Sequence, residues 1–174
     1  ERATVAAAGT ATSLDFRFRN GNEVKLEAFR VRVDQLLDDV KAYIRRKPPK
    51  FDYRELNVEN IGFRLVQQNQ QKYIGERVAS WTRKLVPRPE HLDRLVTLNT
   101  PLKQAGAYLL TARMTGGNVS RILVWISDTA VVHKRINGGD LYFVADAVTG
   151  SPIAGARVEF FGYEQRRIQK QRRV

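Results

Sequence analysis

The chain has 174 residues, 43% of them hydrophobic, no cysteine, and a formal net charge of +12 at pH 7. That length suits one well-cored domain, or one domain and part of another, and the apolar fraction belongs to a globular chain. The missing cysteine excludes disulfides, thiolate metal sites and cysteine nucleophiles within these residues, and no apolar run approaches the roughly 20 residues of a membrane-spanning helix.

Residues 1–12 are small and polar (Ala6, Ala7, Ala8, Gly9) and read as a flexible linker or lead-in, without the long apolar stretch of a signal peptide. Strand signals begin at 13. Leu14, Phe16 and Phe18 alternate with Asp15, Arg17 and Arg19, Asn20-Gly21 is a strong hairpin signal, and Val24, Leu26 and Ala28 resume the period of two. Phe29, Val31 and Val33 continue it on the other parity, which predicts a bulge.

At Asp34 the period becomes helical. Leu36, Leu37, Val40, Tyr43 and Ile44 predict a helix over 34–46, capped by Asp34, ended by Pro48-Pro49 and packed on the side or end of a sheet. The insertion 48–76 reads as a loop with a short helix around 60–72. Strands follow at 77–86, 94–98, through Tyr108, Leu110 and Ala112, and at 119–126, with a turn at Gly116-Gly117. Such spacing is that of an antiparallel sandwich.

After Asp128 the pattern starts afresh: "TAVVHKRI", a turn at Asn137-Gly138-Gly139, "DLYFVADAV", then "TGSPIAG" leading into a third strand, "ARVEFFGY". In that turn Gly150 supplies positive φ, Pro152 stiffens the exit, Ile153 is expected to plug the end of a sandwich, and Gly155-Ala156 to let two backbones approach closely. Three strands are less than a full sandwich, and fewer than about fifty residues rarely hold a core of their own. The expected organisation is a lead-in at 1–12, a mostly β sandwich at 13–127 carrying helix 34–46 and insertion 48–76, and an incomplete second sandwich domain at 128–174.

Residue chemistry offers little to a catalyst. His91 and His133 are far apart and lack metal spacing such as H-E-x-x-H; both read as structural or surface residues. Asp38-Asp39 and the pair Glu55 and Glu59 resemble glycosidase carboxylates only in type, and the first pair suits a helix end. Ser80, Ser120, Ser127 and Ser151 lack a nucleophile elbow, and Gly116-Gly117 and Gly138-Gly139 are hairpin glycines rather than a phosphate loop. Trp81 and Trp125 read as core. The positive charge is spread: Arg17, Arg19, Arg30 and Arg32 alternate with apolar residues as on solvated strand faces, and only the tail from Arg166 to Arg173 is dense.

The run from Gly106 to Phe161 resembles the bacterial alpha-2-macroglobulin family. A strand like "GAYLLTARM" ends a macroglobulin domain, "RILVWISDTAVVHKR" resembles the strand crossing into the next, and Asp146, Thr149-Gly150, Pro152, Gly155-Ala156 and Val158 match a turn of the form "D..TG.P..GA.V". "FRFRNGNEVKLEAFRVRVDQLL" is similar to the front hairpin of such a domain, and "VASWTRKL" to a mid-domain strand. The resemblance implies an antiparallel macroglobulin or Ig-like β-sandwich and a non-catalytic structural module of a large protease-trapping protein. Core positions Phe16, Phe18, Leu26, Val31, Leu36, Val40, Leu110 and Val124 would set its frame, and Ser127-Asp128 the angle to the next domain. It implies an extracellular or periplasmic setting, with neighbouring macroglobulin-like domains and trapped proteases as partners. No nucleic acid is expected, and a membrane only through an anchor of the parent protein. No catalytic, cofactor-binding or metal residue is assigned, and any thioester, which needs a cysteine, lies elsewhere. Two other readings stand beside it: a basic sandwich that binds an acidic polymer, glycan or protein surface, and an enzyme whose pocket in the 48–72 insertion is lined by Glu55, Glu59 and Tyr73.

Overall fold

A computed structural model describes residues 4–50 and 52–164. In chain order it forms β1 (Thr4–Ala7), β2 (Ser13–Phe18), β3 (Glu23–Val31), α1 (Val33–Arg45), α2 (Tyr53–Leu56), α3 (Ile61–Val66), β4 (Ile74–Lys84), β5 (Arg94–Asn99), β6 (Gly106–Met114), β7 (Val119–Ser127), β8 (Thr129–Ile136) and β9 (Gly139–Asp146). A five-stranded sheet of order β1-β7-β6-β3-β4 is the centre; β2 and β5 pair as a second sheet, and β8 and β9 as a third.

The central sheet carries a core on each face, the second over only part of its length. On one side Val24, Leu26 and Ala28 of β3, Leu110 and Ala112 of β6 and Val124 of β7 meet Leu14 and Phe18 of β2 and Leu98 of β5. This is the mostly β sandwich. On the other side Val31, Leu109 and Leu123 meet Leu36 and Val40 of α1, Ile61 and Leu65 of α3, and Tyr73. Alternation along one strand therefore feeds two cores. Of the expected core positions all are buried except Phe16, which packs partly exposed at the edge of the first cluster.

Several expectations are corrected. Residues 4–7 are not a flexible lead-in but strand β1, laid parallel on β7 from Thr4 beside Val124 to Ala7 beside Ser127. Small side chains with no periodicity suffice there, because the free backbone edge of β7 provides the partner. Asn20-Gly21 does not close a hairpin: β2 pairs with β5, and β3 with β4 and β6. Asn20 does take positive φ, 58°, but the turn carries the chain from one layer to the other, so that the apolar faces of β2 and β3 meet across the core. Helix α1 begins at Val33 with Arg32 at its N-cap, leaving Asp34 in the first turn, and it lies on a sheet face rather than at a side or end. The insertion holds two short helices and a 3-10 turn at Gln71–Tyr73 instead of one helix.

The bulge expected in β3 is present, with register shifts at Ala28/Phe29 and Phe29/Val31. The hairpins at Gly116 and Gly138 form with positive φ, 67° and 87°.

Beyond β9, "ARVEFFGY" is not a strand and pairs with no strand among the described residues. The turn before it folds back on β9 instead. The Asp146 carboxylate accepts hydrogen bonds from the amides of Val148 (3.0 Å) and Thr149 (2.7 Å), and Ile153 N–H donates to the Val144 carbonyl. Ile153 is 39% exposed among the described residues. Gly155 takes a positive φ of 70°, and nothing among the described residues lies within 4 Å of the place its Cβ would take.

Candidate functional site

Two places concentrate specific contacts: the passage from β7 to β8, and the insertion over α1. At the first, Asp128 alone separates the two strands. The Ser127 carbonyl accepts from Ala8 N–H (2.9 Å), and the Asp128 carbonyl from Ala147 N–H (2.8 Å). The Ser127 hydroxyl bonds the Thr129 carbonyl and receives Thr129 N–H, and Thr129 Oγ1 donates to Asp128 Oδ1 at 2.9 Å. A crossing tied on both sides in this way has few free torsions.

A second tie spans the two parts. Lys41 Nζ of α1 lies 2.7 Å from Glu159 Oε1, and the hydrogen bond from Lys41 holds the Glu159 carboxyl below the usual glutamate range. Arg45 and Lys41 stand over the Phe161 ring at 5.4 and 5.9 Å. Phe160 points the other way, edge-on to Tyr142 of β9 at 4.9 Å, and Tyr142 stacks on His133 at 4.7 Å. Adjacent phenylalanines thus stitch the helix to one side and the hairpin to the other. Beside the crossing a cleft of about 590 Å³ is lined by Arg30, Arg32, Asp34, Glu76, Trp125 and Asp128 among others.

In the insertion Arg64 is 1% exposed. Its guanidinium donates to Gln70 Oε1 (3.0 Å) and to the carbonyls of Glu55 and Asn57 (both 3.2 Å), and lies over the Tyr73 ring. The Tyr73 hydroxyl and Lys72 both donate to Asp39 of α1, at 2.9 and 2.7 Å. These two hydrogen bonds, Lys72 first, depress the Asp39 carboxyl, while burial pushes the Tyr73 phenol up and keeps it protonated. The cluster clamps the insertion onto the helix.

No protein-family model matches the sequence, and no curated protein matches it. Similar solved structures include two spans of one protein. Native alpha-2-macroglobulin from Escherichia coli spanning domains NIE and MG1 is 20% identical, with a TM-score of 0.56 over 87% of this chain and 69% of that one. The same protein spanning domains MG0, NIE and MG1 is 18% identical, with a TM-score of 0.54 over 88% of this chain and 45% of that one. The fold is macroglobulin-like. The chain spans less than half the length of the longer structure, and identity this low speaks for the fold alone.

On this macroglobulin-like frame the residues singled out in the sequence fall apart from one another. His91 Nδ1 sits 2.9 Å from Asn20 Oδ1, joining two exposed loops. His133 Nε2 lies 2.7 Å from Asp140 on the third sheet. Asp38 is exposed beside the engaged Asp39, and Glu59 is exposed while Glu55 meets Arg64 at 3.8 Å. The cavity at the insertion is lined by Lys50, Asp52, Tyr53 and Arg54, without Glu55, Glu59 or the fully buried Tyr73. That is not the pocket the enzyme reading needed. Ser80, Ser120 and Ser151 are exposed, and Ser127 is spent on the crossing. Among the described residues no three His, Asp or Glu side chains gather as metal ligands, and no helix is long and apolar enough to cross a membrane. Trp81 and Trp125 are half-buried, each against a different core. The basic tail from Arg166 lies outside the described residues. Sequence reasoning missed Arg64, although a signal was there: Ile61, Arg64 and Leu65 share one face of a helix whose other members on that face are apolar.

Proposed function

We propose that the chain is a non-catalytic structural module of a larger alpha-2-macroglobulin-like protein, extracellular or periplasmic, which acts by trapping proteases. The observation that carries this reading is the order of parts. A complete sandwich runs through one residue, Asp128, into a two-stranded sheet with apolar side chains exposed on both faces: Val131 and Val132 are each 58% exposed, and Leu141, Tyr142 and Phe143 are open as well. Adjacent residues of a strand face opposite ways, so among the described residues both faces of this sheet stay largely open apart from the Phe160 contact on Tyr142. It reads as the start of a second sandwich domain whose remaining strands supply that cover. The two similar structures each span more than one domain. The module's work is mechanical: the crossing at 127–128 and the Lys41–Glu159 tie set the angle between neighbours.

The test is the whole gene product. The reading expects further sandwich modules of this size, and a downstream Cys-x-Glu-Gln where a thioester is used. The purified product, incubated with trypsin, should leave cleavage of a small peptide substrate intact while protecting a large protein substrate. Unimpaired digestion of the large substrate would discard protease trapping, and a product without further modules would discard the modular reading.

A second reading, a binding module for an acidic polymer, draws on Lys25, Lys84 and Arg113, which share the half of the central sheet left uncovered by the helices. Lys25 pairs with Glu27 at 3.3 Å, and Arg77 joins the same carboxylate at 2.8 Å. Retention on heparin that collapses between low and physiological salt would favour this reading.

A further inference from the structure

The sandwich is lopsided, with five strands facing two. Strand β2 pairs with β5 along one edge; its other edge meets no strand among the described residues. Next to that edge runs a groove of about 290 Å³. Four successive residues of β2, Leu14 to Arg17, form one wall, and Ser120, Arg121 and Ile122 of β7 form the other. The floor is apolar: Leu26, Leu98, Leu110 and Ala112. Among the described residues the facing stretch of β7 is also unpaired on its outer side, because β1 takes up only Val124 to Ser127. The groove therefore has free backbone donors and acceptors along its walls and core side chains at its base. Phe16 remains partly exposed for the same reason: no described residue covers its outer flank.

We propose that this groove takes an extended acidic peptide segment of a separate chain as a third strand beside β2. Backbone pairing to β2 would supply register, and every second side chain would enter the apolar floor. Strand β1 already shows that a short segment without strong strand character can pair along an edge of this sandwich. Charge selects the partner. Arg17 and Arg121 stand on opposite walls, while the carboxylate on the β2 wall, Asp15, receives the Thr97 hydroxyl at 3.0 Å. The chain as a whole carries +12. Acidic side chains at the alternate, outward positions of the segment would meet this field.

The experiment titrates the 174-residue chain into a labelled seven-residue peptide with valine at alternate positions and threonine or glutamate between them, followed by fluorescence anisotropy. Saturable binding is expected, weakened at least about tenfold when the peptide amides facing β2 are N-methylated, and weakened similarly when lysine replaces glutamate. Ser120→Trp, at an exposed groove position, should fill the entry and remove binding while leaving the thermal midpoint unchanged. Equal affinity for the N-methylated peptide would mean attraction by charge alone and would overturn the proposal. So would undiminished binding to a folded Ser120→Trp protein, which would place the strand on the outer edge of β4. Absence of binding by the parent peptide overturns it directly. Because the N-methylation comparison uses the unaltered chain, the proposal remains exposed to failure even if the variant does not fold.

Discussion

Lys41 and Glu159 are 118 residues apart in the chain and 2.7 Å apart in space. With the Phe161 ring under Lys41 and Arg45, this pair ties the segment that follows β9 to α1. An exposed ion pair alone contributes little, and the aromatic contact adds an apolar face to it.

Releasing that tie should loosen the angle between the parts without unfolding either. In Phe161→Ala the amides of β8 and β9 are expected to show shorter rotational correlation times than those of β6, whereas in the unaltered chain the two sets agree. Acid should act in the same direction. Glu159 titrates below its ordinary value of 4.5 because Lys41 donates to it. The contact is therefore fully present above pH 4.5 and fades as pH falls through the folded value. Uniform correlation times in Phe161→Ala would show that the crossing alone fixes the angle.

The clamp in the insertion should be the costliest polar site to break. Arg64→Ala leaves the Glu55 and Asn57 carbonyls without their donor and opens a hole under Tyr73. A loss of about 3 kcal/mol in urea unfolding is expected, from unsatisfied acceptors and lost packing together. Arg64→Lys should fall between, since an ammonium cannot reach Gln70 and two carbonyls in the same fork.

How much of this could be read from the sequence depended on whether a feature is local. Periods of two and 3.6 placed β2 to β9 and α1 to within a few residues, because side-chain alternation is written into neighbouring positions. Pairing partners are not written there. Asn20-Gly21 has the chemistry of a hairpin and of a corner between layers alike; the choice is made by Leu98 and Leu14 finding each other 84 positions apart. Strand β1 exists because β7 offers an edge, whereas "ARVEFFGY" has the alternation of a strand but forms no ladder among the described residues. The candidate site divides the same way. The crossing at Ser127-Asp128 falls where the strand pattern restarts, but Lys41–Glu159 joins a half-buried helix residue to an exposed one whose surroundings carry no signal of each other.

The two cores should be energetically separable although they share one sheet. Leu26 (1% exposed) and Leu36 (fully buried) lie in different clusters on opposite faces. Each truncation to alanine is expected to cost about 2–5 kcal/mol. Without shared neighbours, the double variant should lose the sum to within about 0.5 kcal/mol. A coupling energy well above that would mean that strain passes through the sheet from one cluster to the other.

Asp39 gives the insertion its own acid response. Lys72 and the Tyr73 hydroxyl donate to its carboxylate, Lys72 with the larger effect, and hold it below the ordinary aspartate value of 3.8. A depressed folded pKa means that the unfolded chain takes up the proton first as pH falls. The stabilisation is thus complete above pH 3.8 and disappears as pH passes through the folded value. Asp39→Asn should therefore lower the urea midpoint near neutral pH, and the gap to the unaltered chain should close in acid. Tyr73→Phe should show a smaller loss with the same acid trend, because Lys72 still holds the carboxylate ionised. Hydrogen exchange would localise the effect: amides of α3 and the Gln71–Tyr73 turn should lose protection in Asp39→Asn, while those of β6 keep theirs. A gap that persists undiminished at low pH would mean that packing of the side chain, and not its charge, is what α1 contributes to the clamp.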